Sequence, residues 1–167
     1  MYKIGEFIVY GNEGVCEVED ISKINIPGTT TSKNYYTLKP MHENGKVFIP
    51  VDTNVFMRPI VTPEEIKDII EQIPTIDEEE YDVKNSRLLQ EYYKKLLKTH
   101  QCIDLLTIIV SINDKKADLI KAGKKLGQIE EKFLKIAKNL IEDEFSIALG
   151  ISKESVEEYI NNKISNN

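Results

Sequence analysis

The spacing of the apolar residues changes once along the chain, near residue 60, and this change constrains the fold more than any other feature. Before it, short runs alternate between apolar and polar residues, which is typical of β-strands with one buried face. After it, apolar residues recur at intervals of three and four, the period of amphipathic helices. The sequence therefore predicts a segregated α+β protein, with a β module at residues 1–60 and an all-helical domain at 61–167.

Turn signals divide the first part into strands. Gly and Asn tolerate positive φ, and they cluster at residues 11–14 and again at 43–46. Between and after these turns, Tyr35–Leu38 and Val47–Val51 are rich in β-branched and aromatic residues and are predicted strands. An antiparallel meander of this length is expected to curl into a small open barrel of the Tudor or SH3-like kind. Its free edge strands can accept a strand from a partner.

Capping signals mark the helices of the second part. Thr62, Pro63 and the following acids favour a helix start, because Thr caps, Pro fits the first turn and acids suit the positive helix end. A linker helix at about 62–82 is expected, with Pro74 ending its apolar pattern before an acidic run at 77–80. Further helices are predicted at about 85–99, 102–124, 127–149 and from Ser152 onward. In the second helix the residues predicted to face inward are Leu88, Leu89, Tyr92, Tyr93, Leu96 and Leu97.

Charge is unevenly distributed along the chain. The net charge is −6, which argues against a general nucleic-acid coat protein. From Lys84 to Lys138, however, thirteen basic and six acidic residues give a segment of +7, and the remainder carries −13. This asymmetry fits either one DNA-facing surface or a solvated, lysine-rich helical surface.

No pattern of catalytic or metal-binding residues stands out. His42 and His100 have no Cys or carboxylate at ligand spacing, and no glycine-rich phosphate loop precedes a helix. Cys16 and Cys102 are expected to be buried apolar residues in a reducing cytosol. No membrane span and no signal peptide are expected. The sequence therefore predicts a non-enzymatic cytoplasmic protein without a cofactor.

The order of several short motifs is more specific. Residues 4–10 (Ile-Gly-Glu-Phe-Ile-Val-Tyr) and 14–18 (Gly-Val-Cys-Glu-Val) resemble the opening of the CarD/CdnL family. Residues 35–38 look like its aromatic strand, 47–51 like its hydrophobic-Pro strand and 57–60 like the motif that closes the module. Ser86–Arg87 and the pattern from Leu126 to Ala137 are similar to the family's last helices. The resemblance covers nearly the whole chain.

The resemblance implies a function for each part. In this family the Tudor-like module, shared with transcription-repair coupling factor, binds the β subunit of bacterial RNA polymerase by adding its sheet to the subunit's lobe. The helical domain touches promoter DNA at the upstream edge of the melted region, where a tryptophan wedges into the minor groove. The implied polymerase-binding residues here are Lys23, Ile24, Ile26, Lys46, Val47 and Phe48. The implied DNA-binding residues are Asn85, Arg87, Lys94, Lys95 and Lys132.

This chain departs from the family pattern in places. It contains no Trp, and alignment on Ser86–Arg87 puts Asn85 at the wedge position. Asn can hydrogen-bond a base edge but cannot supply an apolar wedge. Ile24 and Phe48 fall where arginine can occur in the family, with Lys23 as a substitute, and Glu131 takes a position that is often basic.

Three hypotheses follow from the sequence. The first is a monomeric transcription regulator, associated with the nucleoid through polymerase, that modulates open-complex stability. The alternative is a Tudor-like protein–protein adaptor without DNA contact. An unassigned enzyme is a third possibility. For Phe48, a place in the barrel core is the alternative to a place at a partner interface.

Overall fold

The structure of the protein is a computed structural model that describes residues 1–25, 27–28, 32–73 and 85–165. The described chain divides into two compact units, Met1–Ile60 and Val61–Asn167. A β-sheet forms the first unit and helices form the second, so the predicted segregated α+β class is confirmed. Ile26, Pro74, the acidic run at 77–80 and the rest of the predicted linker helix from 74 to 82 lie outside the described residues.

The N-terminal unit is a five-stranded antiparallel sheet in the order β4-β3-β2-β1-β5. Among the described strands, β4 and β5 each have one neighbour, so both are edge strands. Their bounds are β1 Phe7–Tyr10, β2 Gly14–Ile24, β3 Lys33–Pro40, β4 Val47–Pro50 and β5 Met57–Pro59.

Strand pairing places six buried apolar residues of the sheet on one face. Ile8 lies opposite Cys16, Leu38 lies opposite Val18, and Tyr36 lies opposite Ile49. Together these six side chains form the core of the module. The predicted hairpin after β3 is present, but its connection runs over residues 41–46 and is longer than a tight two-residue turn. Gly45 lies in it at φ 134°, a value that L side chains rarely adopt.

The second unit contains five helices in the described residues. They are α1 Pro63–Gln72, α2 Ser86–Leu97, α3 Cys102–Lys121, α4 Gln128–Leu149 and α5 Lys153–Ser165. Their shared core contains buried side chains from all five helices, among them Ile66, Tyr93, Ile112, Phe145 and Val156. The rings of Tyr93 and Phe133 meet with centroids 5.2 Å apart and join α2 to α4.

A buried carboxylate joins three helices of this unit. Glu144, in α4, is 2% exposed. One of its oxygens accepts a hydrogen bond from the Val61 backbone N–H at 3.0 Å, just before α1 begins. The other accepts from the Cys102 thiol at 3.3 Å, at the first residue of α3. Because an unpaired buried charge is costly, these two donors fix the start of α1 and of α3 against α4.

The start of α1 has the predicted cap in its complete form. The Thr62 hydroxyl accepts from the Glu65 N–H at 3.2 Å, and the Glu65 carboxylate accepts from the Thr62 N–H at 2.7 Å. These reciprocal bonds satisfy donors that the helix itself leaves unpaired. We expect Thr62→Ala to lower the free energy of unfolding of the helical unit by about 1 kcal/mol.

Urea denaturation followed by helical circular dichroism measures this change. Thr62→Ser keeps the hydroxyl and is the matched control, so it should stay close to wild type. Equal losses for the alanine and serine variants would contradict a role for the cap.

Candidate functional site

The free edge of β4 exposes main-chain groups that no described strand pairs. Val51 donates its N–H to the Asn34 carbonyl at 3.0 Å, which makes these opposed residues a hydrogen-bonded pair of the β3–β4 ladder. Such pairs alternate along an antiparallel ladder, so Ile49 and Val47 also bond toward β3. The N–H and C=O of Phe48 therefore point away from the sheet, toward the open edge.

The side chains of β4 alternate between the core and the solvent. Ile49 is buried, Val47 packs against the core cluster, and Phe48 is 57% exposed. The alternative that Phe48 fills the barrel core is therefore wrong. Pro50 also turns its main chain outward, and because it has no N–H it ends the edge available for pairing. Phe48 thus offers an aromatic ring and a donor–acceptor pair at one position.

The other edge strand offers less. Gly11 donates its N–H to the Phe56 carbonyl at 2.8 Å, and Ile60 donates to Phe7 at 3.3 Å, so Arg58 between them bonds inward. The outward main-chain positions of β5 are then those of Met57 and Pro59, whose side chains are not large exposed apolar groups. We therefore place the candidate docking edge at β4.

Lys46 precedes β4 and forms an ion pair with a residue of β2. Its ammonium lies 2.7 Å from a carboxylate oxygen of Glu19, which sits at the bulge between Val18 and Asp20 in β2. The lysine side chain is 55% exposed, so this ion pair is screened by water and worth little on its own. It keeps the Lys46 charge beside the open edge, where a partner's carboxylate can reach it.

The predicted residues of β2 lie elsewhere on the sheet. Lys23 and Ile24 pair with Asn34 and Lys33, at the start of β3, whereas β4 begins opposite Leu38. Four residues along a strand span about 13 Å. The structure thus brings Lys46, Val47 and Phe48 together and puts Lys23 and Ile24 nearer the opposite end of β4. Lys23 is exposed and Ile24 is half-buried.

An exposed ion pair lies at the end of the β3–β4 pair that is distant from Lys46. Lys33 at the start of β3 donates to Asp52 just beyond β4, at 3.0 Å. This hydrogen bond, followed by the attraction of the lysine charge, lowers the pKa of Asp52 below its ordinary value.

The predicted DNA-binding residues of α2 begin at its first turn. The Asn85 side-chain oxygen accepts a hydrogen bond from the Arg87 N–H at 3.0 Å and so caps the helix. The Arg87 guanidinium extends into solvent and forms an ion pair with Glu91 one turn later, at 3.2 Å. Both side chains of this pair are mostly exposed, so an anionic ligand can replace Glu91 at small cost.

The remaining predicted cations lie about two turns further along α2 and on α4. Lys94 and Lys95 are exposed. Because Lys94 follows Arg87 by seven residues, Arg87 and Lys94 lie on one helical face about 10 Å apart. Lys132, on α4, has its ammonium 5.8 Å from the centre of the Phe133 ring. That ring packs on Tyr93 of α2.

Sequence reasoning missed Leu88. It was predicted to face inward, but its side chain is 49% exposed, next to Arg87 in the first turn of α2. The buried line of this helix passes through Leu89 and Tyr93, and Leu88 lies about 100° away around the helix. The weak signal for this in the sequence is the adjacent pair Leu88–Leu89, since two neighbours cannot both face the centre of a narrow apolar stripe.

The described residues provide little for catalysis. They contain no cluster of three or more His, Cys, Asp or Glu side chains that would hold a metal ion. Both cysteines are buried, and burial raises the pKa of the Cys16 thiol to about 11, which keeps it unreactive near neutral pH. None of the helices described is long and apolar enough to cross a bilayer.

Comparison with known families decides the nature of the first unit. Residues 2–61 match the family model described as the CarD-like/TRCF RID domain. The N-terminal module belongs to this family. The match spans all five strands, including the β4 edge, and confirms the predicted family resemblance for residues 2–61. No curated protein matches the chain.

The matched module gives the chain a general role. It is a transcription-related protein with an RNA polymerase-interacting module, and the interaction of this domain is with the β subunit. The CarD-like family consists of polymerase-binding regulators and is non-enzymatic. The match ends where the helical unit begins, so the helical unit has to be considered from its own residues.

The Lys33–Asp52 pair provides a test of the geometry beside β4. We expect Lys33→Met to raise the pKa of Asp52 back toward its ordinary value, measured by NMR titration of the side-chain carboxyl carbon. Because the folded-state pKa is lowered, the pair's stabilisation is present above the unfolded-state pKa of Asp52. It is lost as the pH falls through the folded value.

Lys39→Met, at another exposed lysine of β3, is the matched control and should leave the pKa of Asp52 unchanged. An unaltered pKa in the Lys33 variant would contradict the pairing.

Proposed function

We propose that the protein is a transcription regulator that docks on the polymerase β subunit through the open edge of β4 and contacts promoter DNA near the upstream fork through its helical unit. In doing so it modulates the stability of the open complex. The observation that carries the proposal is the position of Phe48, which combines an exposed aromatic ring with an outward-facing N–H and C=O. The regulator acts as a monomer in the cytoplasm, associated with the nucleoid through polymerase.

Docking at β4 follows from the chemistry of a sheet edge. A strand of the partner that aligns with β4 pairs its main chain with both groups of Phe48. Pro50 has no N–H to donate, so the added strand is short and its register is fixed. A short pairing needs a side-chain anchor, and aromatic residues at an interface centre often dominate binding energy. The Phe48 ring and the Lys46 charge beside it supply the anchor.

The helical unit supports a DNA contact of a mainly electrostatic kind. Arg87, Lys94 and Lys95 present their charges from one helix, and Lys132 approaches from α4. Contacts of this type bind phosphates without reading sequence. Since the whole chain carries −6, free DNA is bound weakly, and the contact depends on the high local DNA concentration that polymerase docking provides.

Leu88 takes the apolar part of this contact. The Asn85 oxygen is occupied by the helix cap, so its amide N–H₂ is the group left to reach a base edge. Leu88 lies three residues away, is exposed, and is flanked by Arg87. Apolar side chains such as leucine act as wedges between base steps in minor-groove complexes. Arg87 and Leu88 together therefore fit the edge of melted DNA better than Asn85 alone.

Docking through β4 can be tested by substitution of Phe48. We expect Phe48→Ala to weaken binding to the purified β-subunit lobe by about tenfold or more, because it removes the aromatic anchor. Phe48→Pro removes the N–H as well as the ring, and we expect it to weaken binding further. Isothermal titration calorimetry gives both affinities.

Phe56→Ala is the matched control, because Phe56 is also an exposed aromatic of the module but lies outside β4. Equal affinities for wild type and both Phe48 variants would sink the docking proposal. An intact β-lobe interaction with no effect of any helical-unit variant on DNA would instead support the adaptor without DNA contact.

A further prediction concerns DNA. In a complex with polymerase and fork-junction DNA, we expect the triple change of Arg87, Lys94 and Lys95 to Gln to reduce the slope of log K against log salt concentration by about 2.7. The same change at Lys3, Lys39 and Lys67, three exposed lysines elsewhere, should leave the slope unchanged.

Leu88→Ala separates the apolar contact from the charges. We expect it to shorten the open-complex lifetime by about tenfold, the effect of no longer burying one leucine side chain, while the salt slope stays the same. Ile120→Ala, at another exposed apolar residue, in α3, is the control. Lifetimes that respond alike to both alanine changes would remove Leu88 from the DNA interface.

A further inference from the structure

A cavity of about 120 Å³ lies within the helical unit, among α3, α4 and α5 near the end of α1. Its wall residues recur at helical spacing on each element, so one face of each helix contributes. The apolar part of the wall includes Leu106, Ile109, Val110, Ile141, Val156 and Ile160. None of these residues belongs to the polymerase-docking or DNA-facing surfaces, and the cavity has no part in the proposed function.

The charged residues in the wall of this cavity leave it with a net negative charge. Lys138 lies 3.8 Å from a carboxylate oxygen of Glu157, which compensates one acid. Glu142, the second acid in the wall, has no hydrogen bond from the described residues. The amide side chains of Asn113 and Asn161 also line the site and add hydrogen-bonding capacity without charge.

The environment of Glu142 is short of positive charge. Burial raises the pKa of its carboxyl group, and the nearby Glu157 and Asp143 act in the same direction, whereas Lys138 and Lys153 act against it. The two lysines therefore do not fully offset burial and the two acids. A cation brought into the cavity would relieve this imbalance.

Size limits the apolar part of a ligand. An apolar cavity of about 150 Å³ in another protein holds benzene, so about 120 Å³ suits a hydrocarbon group of about five carbons. We propose that this cavity is a binding site for a small alkylammonium compound. Its hydrocarbon chain lies between α3 and α5, and its ammonium group bonds to Glu142 with help from the asparagine amides.

This ligand class matches both halves of the site. The ammonium has three N–H donors and no acceptor, which suits a carboxylate and the oxygens of two amides. An alkyl alcohol of the same length fills the same space but lacks the charge. An alkyl carboxylate fills it too but places a second anion against Glu142, which is unfavourable.

A homologous series tests the proposal on the full-length protein. Propylamine, butylamine, pentylamine, hexylamine and heptylamine are titrated while the Ile δ1 methyl signals are followed by NMR. We expect signals of Ile109 and Ile160 to shift, and those of Ile8 and Ile120 to stay in place. Affinity should rise about fourfold per methylene up to pentylamine or hexylamine and then stop rising, because the cavity is full.

The head group is tested with variants at the acids. Glu142→Gln should weaken pentylamine about tenfold and leave pentanol unchanged, because only the charge-assisted bond is lost. Glu158→Gln, on the exposed face of α5 and outside the wall, is the matched control and should bind as wild type does. Val110→Phe fills the cavity and should abolish both ligands. Ile160→Phe is the second filling variant if the first does not fold.

Four outcomes overturn the proposal. The first is that no amine shifts the wall methyl signals, and the second is that wild type binds pentylamine and pentanol with equal affinity. The third is that Glu142→Gln leaves pentylamine affinity unchanged, and the fourth is that pentanoate binds more tightly than pentylamine. Shifts that depend on protein concentration without ligand would assign the cavity to a second copy of the chain instead. Polymerase binding takes no part in this experiment, so its result is independent of the docking proposal.

Discussion

The register of β3 against its two neighbours is the constraint on which the N-terminal module depends. Tyr36 lies opposite Ile21 on one side and Ile49 on the other, so the apolar face is continuous across three strands. Because side chains alternate along a strand, a slip of one residue would bury Phe48 and expose Ile49. The register that builds the core is therefore also the one that exposes the Phe48 ring and turns its main-chain groups toward the open edge.

The two units carry different kinds of information about function. The N-terminal module matches the CarD-like/TRCF RID domain, and this domain interacts with the polymerase β subunit. In the helical unit, Arg87 and Leu88 are adjacent in the first turn of α2, which Asn85 caps, and Leu88 is exposed. A weak contact of this kind is effective only when another contact holds it near DNA. In the proposed function, docking through β4 and DNA contact through α2 are therefore parts of a single mechanism.

Much of the fold was predictable because its signals are local. The Thr62–Pro63 start of α1 and the segregated α+β class follow from capping chemistry and apolar period, and both are confirmed. Other features depend on tertiary packing, which local sequence does not encode. The exposure of Leu88 depends on which part of α2 meets its neighbours, and the bonds of Glu144 join residues that are 42 and 83 positions away. The DNA role of the predicted cations stays a prediction.

Amide hydrogen exchange at Phe48 tests the central claim most directly. In the free protein its N–H faces the open edge, so it should exchange fast, while the Ile49 N–H, bonded toward β3, should be protected. In a stoichiometric complex with the β-subunit lobe, we predict that exchange at Phe48 slows by about 100-fold or more as a partner strand accepts its hydrogen bond. An unchanged exchange rate at Phe48 in a fully formed complex would contradict docking through the β4 edge.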